Sequence, residues 1–208
     1  MTIELLYTEG SNCAQRVLWA MQFKAVTHTR LDFKRLTEAE IRRVSPFGKV
    51  PAVSMDGRGM AESMAIIEFL EETFPKPPLL PSDAFMRGKV REVCELINGT
   101  IHAGQNSKLV KFFQQAATPE QIIDLRRQWH TKWLPQLEPL LFHDSDFAVG
   151  KTFSLADIFV APIIIKAFSV GVKSGDFPRL RRYLGFLPLQ KEAWSSCPAE
   201  LQRSIAGL

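Results

Sequence analysis

The sequence predicts a chain of two parts: an α/β unit built on a mixed sheet, then an all-helical unit. Three observations carry that expectation. The first 75 or so residues alternate short apolar runs with helical periodicity. Pro75-Lys76-Pro77-Pro78-Leu79-Leu80-Pro81 then places four prolines in seven residues, which no helix tolerates and which makes a stiff linker. Beyond it the apolar residues recur with helical spacing alone.

Taken in order, Ile3-Glu4-Leu5-Leu6-Tyr7 reads as a strand and residues 14–24 as a helix with Val17, Leu18 and Met21 on one stripe. Leu31-Asp32-Phe33 reads as a second strand. Thr37 with Glu40 forms a capping-box pattern for a helix over residues 38–44. Val50 to Met55 reads as a third strand, and Asp56-Gly57 as a hairpin turn to a short edge strand, Gly59-Met60-Ala61. Ser63 is placed as the N-cap of a helix from Met64 to Phe74, with Ala65, Ile66, Phe69 and Leu70 as its apolar stripe. The order β-α-β-α-β-β-α implies a mixed sheet covered by helices.

Past the prolines, residues 84–113 read as one long helical segment bent near Gly99-Thr100 or Gly104. Thr118-Pro119-Glu120-Gln121 combines an N-cap, a first-turn proline and a reciprocal glutamine, opening a helix that runs to about Leu141 with Pro135 and Pro139 bending or tightening its end. Ser154-Leu155-Ala156-Asp157 is a further capping box, and the apolar segment it opens, Ile158 to Phe168, is the expected centre of its unit. Short helices are expected after Phe177-Pro178 and Leu187-Pro188. The expected domains are residues 1–78 and 85–208, with 79–84 as linker.

Composition narrows the class. The chain has 208 residues, 46% of them hydrophobic, with 15 Phe and 4 Trp, enough for packed cores and against disorder. Lys and Arg number 26 against 22 Asp and Glu, a surplus of four that suits an anionic small ligand without demanding one. The densest basic run, Arg179-Leu180-Arg181-Arg182, is too short for a nucleic-acid patch. Ile158 to Val172 contains Pro162 and Lys166 and is shorter than a membrane span, and the N-terminus has no signal-peptide pattern. Cys13, Cys94 and Cys197 match no zinc spacing and no C-x-x-C, so no metal is expected and a reducing, cytoplasmic setting is.

Three places could carry chemistry. Ser11-Asn12-Cys13 lies at the start of the first helix, where unpaired N–H groups and the positive dipole end stabilise an anion such as a thiolate, from Cys13 or from a ligand. Val50-Pro51 has two readings: a proline opening a strand, or a cis proline leaving the Val50 backbone to pair with an extended peptide-like ligand. Glu62-Ser63, at the head of a helix, suits a ligand with both a carboxylate and an ammonium group.

The stretches SNCAQRV at 11–17, SPFGKVPAV at 45–53, AESMAIIEFLEETFP at 61–75, GQNSKLV at 104–110 and FSLADIFVAP at 153–162 resemble, in order, those of the cytosolic glutathione transferases. The resemblance is to the zeta class, which includes maleylacetoacetate and maleylpyruvate isomerases. It implies a thioredoxin-like first domain, an all-helical second domain, a homodimer, glutathione as cofactor and a small electrophilic or anionic substrate. No nucleic acid or membrane partner is implied.

By the same resemblance Ser11 corresponds to the serine that donates a hydrogen bond to the glutathione sulfur, with Cys13 as rival nucleophile and Arg16 near the active site or simply a solvated or salt-bridged arginine on the first helix. Val50 would hold the cysteinyl backbone, Pro51 would be the cis proline, Glu62 and Ser63 would hold the γ-glutamyl end, and Lys49 would approach the glycine carboxylate. Gln105 and Asn106 match a ligand-proximal pair, and His102 and Leu109 are candidate walls of the acceptor pocket. Trp129 and Trp133 read as core, and Asp157 as a folding residue. Two departures stand out. Asn12 replaces a serine, and Ser169, with Lys166 and Lys173 nearby, stands where the isomerases carry a carboxylate-binding arginine. The leading expectation is therefore thiol transfer to a small electrophile; the alternatives are a glutathione-dependent maleyl-type isomerase and a non-catalytic binding protein.

Overall fold

The computed structural model describes residues 2–208, the side chain of Ser107 excepted. The chain divides into two compact units. The first comprises the residues up to Leu79 together with Glu192–Arg203; the second comprises Leu80–Lys191 and Ser204–Leu208.

In the first unit β1 (Ile3–Tyr7), α1 (Asn12–Phe23), β2 (Thr29–Asp32), α2 (Glu38–Val44), β3 (Ala52–Met55), β4 (Arg58–Ala61) and α3 (Ser63–Thr73) follow in the expected order. The sheet order is β2-β1-β3-β4. β1 and β2 are parallel and the other two pairings antiparallel, which is the mixed sheet of a thioredoxin-like domain. Asp56 (φ 48°) and Gly57 (φ 83°) make the two-residue turn joining Met55 to Arg58, the positive-φ pair that hairpins favour. Leu5, Leu6 and Val53 of the sheet are buried, as are Val17, Leu18, Trp19 and Met21 of α1 and Ile66, Ile67 and Leu70 of α3. The Thr37–Glu40 capping box is fully formed.

Local differences have local causes. α1 starts at Asn12 because Ser11 Oγ caps it, accepting from the Ala14 N–H. β2 ends at Asp32, whose carboxylate accepts from Lys34 N–H and turns Phe33–Arg35 into one 3₁₀ turn. Ser63 is not the cap of α3: it is the first helical residue, Glu62 is the cap, and no side chain caps the end. Ser63, Ile66, Ile67 and Leu70, at helical spacing, then form the buried stripe, and Ala65 faces outward.

The second unit is all-helical: α4 (Ala84–Glu95), α5 (Ser107–Phe113), α6 (Pro119–Leu137), α7 (Leu155–Ser169), α8 (Pro178–Phe186), and the start of α9 (Lys191–Ser195). The last helix is α10 (Ala199–Ala206). The long helix expected over 84–113 is interrupted. Leu96–His102 winds as a wider π-type helix, and the chain turns before Asn106, whose side chain caps α5. The Trp129 indole accounts for the break. Its Nε1–H donates to the carbonyls of Thr100 and Ile101 at 3.3 and 3.2 Å, and its ring lies where a Cβ on Gly104 would be, at 2.1 Å. α7 is buried on every face but Lys166 and Ser169, as its composition requires.

At its start Asp157 is fully buried and accepts from Ser154 N–H, Ala148 N–H and the Tyr183 hydroxyl at 2.8, 2.8 and 3.1 Å.

Candidate functional site

The register aligns Leu6 with Ala52 and Ala52 with Ala61. The loop after β1, the Val50-Pro51 step before β3 and Glu62-Ser63 after β4 therefore emerge at one end of the sheet. The antiparallel β1–β3 pairing and the β3–β4 hairpin together bring to that end three segments that are separate in sequence.

Ser11 is half-buried in extended backbone (φ −87°, ψ 108°). Its oxygen accepts from Ala14 N–H at 3.3 Å, so its own hydroxyl hydrogen is what it can offer a ligand. Among the described residues the first turn of α1 carries no acidic side chain, which leaves its dipole end favourable to an anion. Cys13 is half-buried in that turn, and the Arg16 guanidinium donates to its sulfur, Nη1 to Sγ 3.7 Å. Arg16 is fully buried, so it is not the solvated arginine that one reading of the sequence allowed.

The Val50–Pro51 peptide is cis, and Val50 precedes the ladder, which begins at Ala52. Ser45 fixes the approach: its hydroxyl donates to the Lys49 carbonyl at 2.8 Å and accepts from Lys49 N–H at 3.0 Å. Lys49 itself is exposed. Glu62 is exposed and held at φ 73°, ψ 119°, a sparsely populated conformation for a residue with a side chain. Ser63 beside it is buried. With no side chain capping α3, its first N–H groups suit a ligand carboxylate, and the exposed Glu62 carboxylate suits an amine.

In the helical unit the structure gives Gln105 and Asn106 definite intramolecular work. Gln105 is buried between two imidazoles: its Nε2 donates to His102 Nδ1 at 2.9 Å, and its Oε1 accepts from His130 Nε2 at 3.2 Å. Asn106 is exposed and its side chain accepts from Lys108 N–H at 3.0 Å as the cap of α5. Burial, and next the charges of Arg126 and Lys166, hold His130 neutral with its pKa down to about 4. Leu109 is exposed. Trp129 and Trp133 pack on each other, ring centroids 5.7 Å apart. Ser169 is exposed, its hydroxyl donating to the Lys166 carbonyl at 2.9 Å.

A cluster at the site escaped the sequence reading. Glu200 accepts from Gly10 N–H at 2.8 Å and from the Tyr7 hydroxyl at 3.1 Å, and it also receives the Gln15 side-chain amide. Nothing in local periodicity could have joined residues separated by 185 to 193 positions. Among the described residues Cys13, Cys94 and Cys197 form no disulfide, no group of side chains could hold a metal ion, and no helix is long and apolar enough to cross a membrane.

Residues 10–73 match the glutathione S-transferase N-terminal domain and residues 105–185 the C-terminal domain. The chain is 31% identical to the probable maleylacetoacetate isomerase 1 of Drosophila melanogaster, over 93% of this chain and 83% of that one. It is 32% identical to the maleylacetoacetate isomerase of Pseudomonas aeruginosa, over 85% and 87%. Among solved structures, the maleylacetoacetate isomerase of Anaeromyxobacter dehalogenans, with dicarboxyethyl glutathione and citrate in its active site, superposes with a TM-score of 0.75 at 26% identity, covering 98% of this chain and 90% of that one. A shared fold, collinear motifs and identity of this extent over most of both chains place the protein in the cytosolic glutathione S-transferase superfamily, as a zeta-class-like member.

Proposed function

We propose that this protein is a glutathione-dependent isomerase of small maleyl-type dicarboxylates. The observation that carries the reading is the match to maleylacetoacetate isomerases along most of the chain. It outweighs simple conjugation, the reaction the sequence put first. The first unit supports glutathione as the cofactor: a capping serine with a hydroxyl hydrogen to give, an uncapped helix start and an exposed carboxylate share one sheet end. Bound glutathione supplies a sulfur nucleophile that adds reversibly to an activated double bond, allowing rotation before the thiol is returned.

The side chains divide the work. Ser11 donates its hydroxyl hydrogen to the sulfur and favours the thiolate. Val50 holds the cysteinyl backbone, Lys49 draws the glycine carboxylate, and Glu62 and Ser63 hold the γ-glutamyl ammonium and carboxylate. Cys13 stays the rival to Ser11. His102 and Leu109 line the acceptor pocket, and Gln105 orients His102. The protein works as a homodimer in the cytoplasm. Dimerisation is tested by measuring molar mass in solution.

A second reading, conjugation of a small electrophile, is favoured by Asn12 and by Ser169, which offers a hydroxyl where a bidentate guanidinium would grip a carboxylate. Assaying maleylacetoacetate and maleylpyruvate with and without glutathione, beside an aryl halide, separates the two. Glutathione-dependent isomerisation is the expected result; conjugation without isomerisation favours the second reading, and failure to bind glutathione overturns both. Ser11→Ala is expected to raise the pKa of bound thiol by about one to two pH units, the worth of a hydrogen bond to a charged group. An unchanged titration, with the loss appearing in Cys13→Ala instead, would transfer the role to Cys13.

A further inference from the structure

One carboxylate from the far end of the chain holds the loop that presents Ser11. Tyr7 is the last residue of β1, Gln15 lies on α1, and Gly10 sits between them. All three donate to Glu200: Gly10 N–H to Oε1, the Tyr7 hydroxyl and the Gln15 amide to Oε2. Gln15 Nε2 also donates to the Tyr7 oxygen at 2.6 Å, which closes the set into a network. Gln15 is 1% exposed and its amide oxygen is buried with no hydrogen-bond partner, so the carboxylate side sets which way the amide points. Burial, with the charge of Glu200 next, pushes the Tyr7 phenol well above its ordinary range and keeps it a donor.

Between these anchors the loop also bonds to itself. The Ser11 N–H reaches the Thr8 carbonyl at 3.4 Å, a long bond. Gly10 has φ 77°, a conformation glycine adopts at little cost and therefore does not hold by itself. The backbone immediately before Ser11 is thus held at the Gly10 N–H by a side chain 190 residues downstream.

We propose that Glu200 is a positioning residue for Ser11, tethering the β1–α1 loop so that the Ser11 hydroxyl meets the glutathione sulfur at hydrogen-bond distance. The proposal rests on the reading of Ser11 given above. Removing the carboxylate deprives Gly10, Tyr7 and Gln15 of one acceptor together, so the loop relaxes and the Ser11 hydroxyl loses its aim. Misplacement by an ångström is enough to lower a rate by roughly a hundredfold.

The test uses the full-length protein with Glu200→Ala and Glu200→Gln. In the glutathione-free protein, hydrogen exchange at the Gly10 amide should accelerate in Glu200→Ala and be largely restored in Glu200→Gln, whose remaining carbonyl oxygen can still accept from it. With glutathione bound, the thiol pKa should rise in Glu200→Ala in the direction of Ser11→Ala, kcat should fall by roughly ten- to a hundredfold, and KM for glutathione should move less. In a Ser11→Ala background the Glu200 substitution should leave the thiol pKa where Ser11→Ala put it. Unchanged Gly10 exchange, or an equal pKa change with and without Ser11, overturns the proposal. If Ser11→Ala leaves the thiol pKa unaltered, the reading of Ser11 fails, and this is recognised separately because Gly10 exchange reports on Glu200 alone. Should Glu200→Ala not fold, Glu200→Asp carries the test: the carboxylate, one methylene shorter, draws back from the Gly10 N–H, so Gly10 exchange should accelerate and the thiol pKa rise, and accelerated exchange with a thiol pKa equal to wild type, or exchange equal to wild type, overturns the proposal.

Discussion

Glu62 holds a conformation that side chains avoid, at a cost of about 1–3 kcal/mol. Strain of this kind persists where something else depends on the geometry, and here it turns an exposed carboxylate outward beside the uncapped start of α3. Glu62→Gly is expected to raise unfolding stability by about 1 kcal/mol, the relieved strain exceeding the entropy cost of glycine, while weakening glutathione binding. Denaturant unfolding and calorimetric titration check the two halves, and a loss of stability would refute the first. His130 makes a second prediction. Its folded pKa of about 4 lies below the ordinary 6.5, so its contribution to stability is complete above pH 6.5 and disappears as pH falls towards 4. Asp157, raised by burial to about 6, acts with the opposite sign between 3.8 and 6, so the wild-type curve alone partly cancels. The gap in unfolding free energy between wild type and His130→Phe should therefore narrow by about 3 kcal/mol from pH 7 to pH 4. A gap constant across that range would contradict it.

Elements meet where small residues let them. β4 passes so close to α2 that a Cβ on Gly59 would lie 2.7 Å from the Val44 Cα and 3.1 Å from the Arg43 and Val44 carbonyl oxygens. These are backbone atoms and cannot swing aside. Gly59→Ala should cost about 1–3 kcal/mol, read as a lower thermal midpoint, and wild-type stability would show that α2 can shift. Helix starts follow a comparable logic that needs no tertiary help. The boxes at Thr37, Thr118 and Ser154 form as their sequences dictate, because both partners lie within one turn. The start of α3 does not: Ser63 looks like a cap in sequence, yet burying Ile66, Ile67 and Leu70 against the sheet rotates it into the first turn.

At the scale of the whole molecule, the segment Glu192–Arg203 belongs to the first unit, although the sequence assigned all of 85–208 to the second. Trp19, fully buried on α1, donates its indole N–H to the Ala193 carbonyl at 3.2 Å, and Ala193, Cys197 and Leu201 are buried. Truncation after Lys191 should destabilise the first unit by about 3 kcal/mol or more, from lost apolar burial and orphaned donors, measured by Trp19 fluorescence during unfolding. An unchanged midpoint would mean the segment is dispensable. What the sequence by itself determined was local or periodic: the strand and helix order, the Asp56-Gly57 hairpin, three capping boxes, the all-round burial of α7, and the motifs at Ser11, Val50-Pro51 and Glu62-Ser63. Each depends on neighbours within a few residues, whose chemistry a linear reading captures. Only the tertiary structure decided that Arg16 is buried beside Cys13, that Gln105 is held between His102 and His130, that Trp129 breaks the long helix, and that Glu200 secures the loop before Ser11. Arg16 meets Cys13, and Gln105 meets His102, within one helical turn, but their burial and the remaining contacts, between groups 25 to 193 residues apart, depend on the close fit of side chains, and not sequence spacing, to choose the partner.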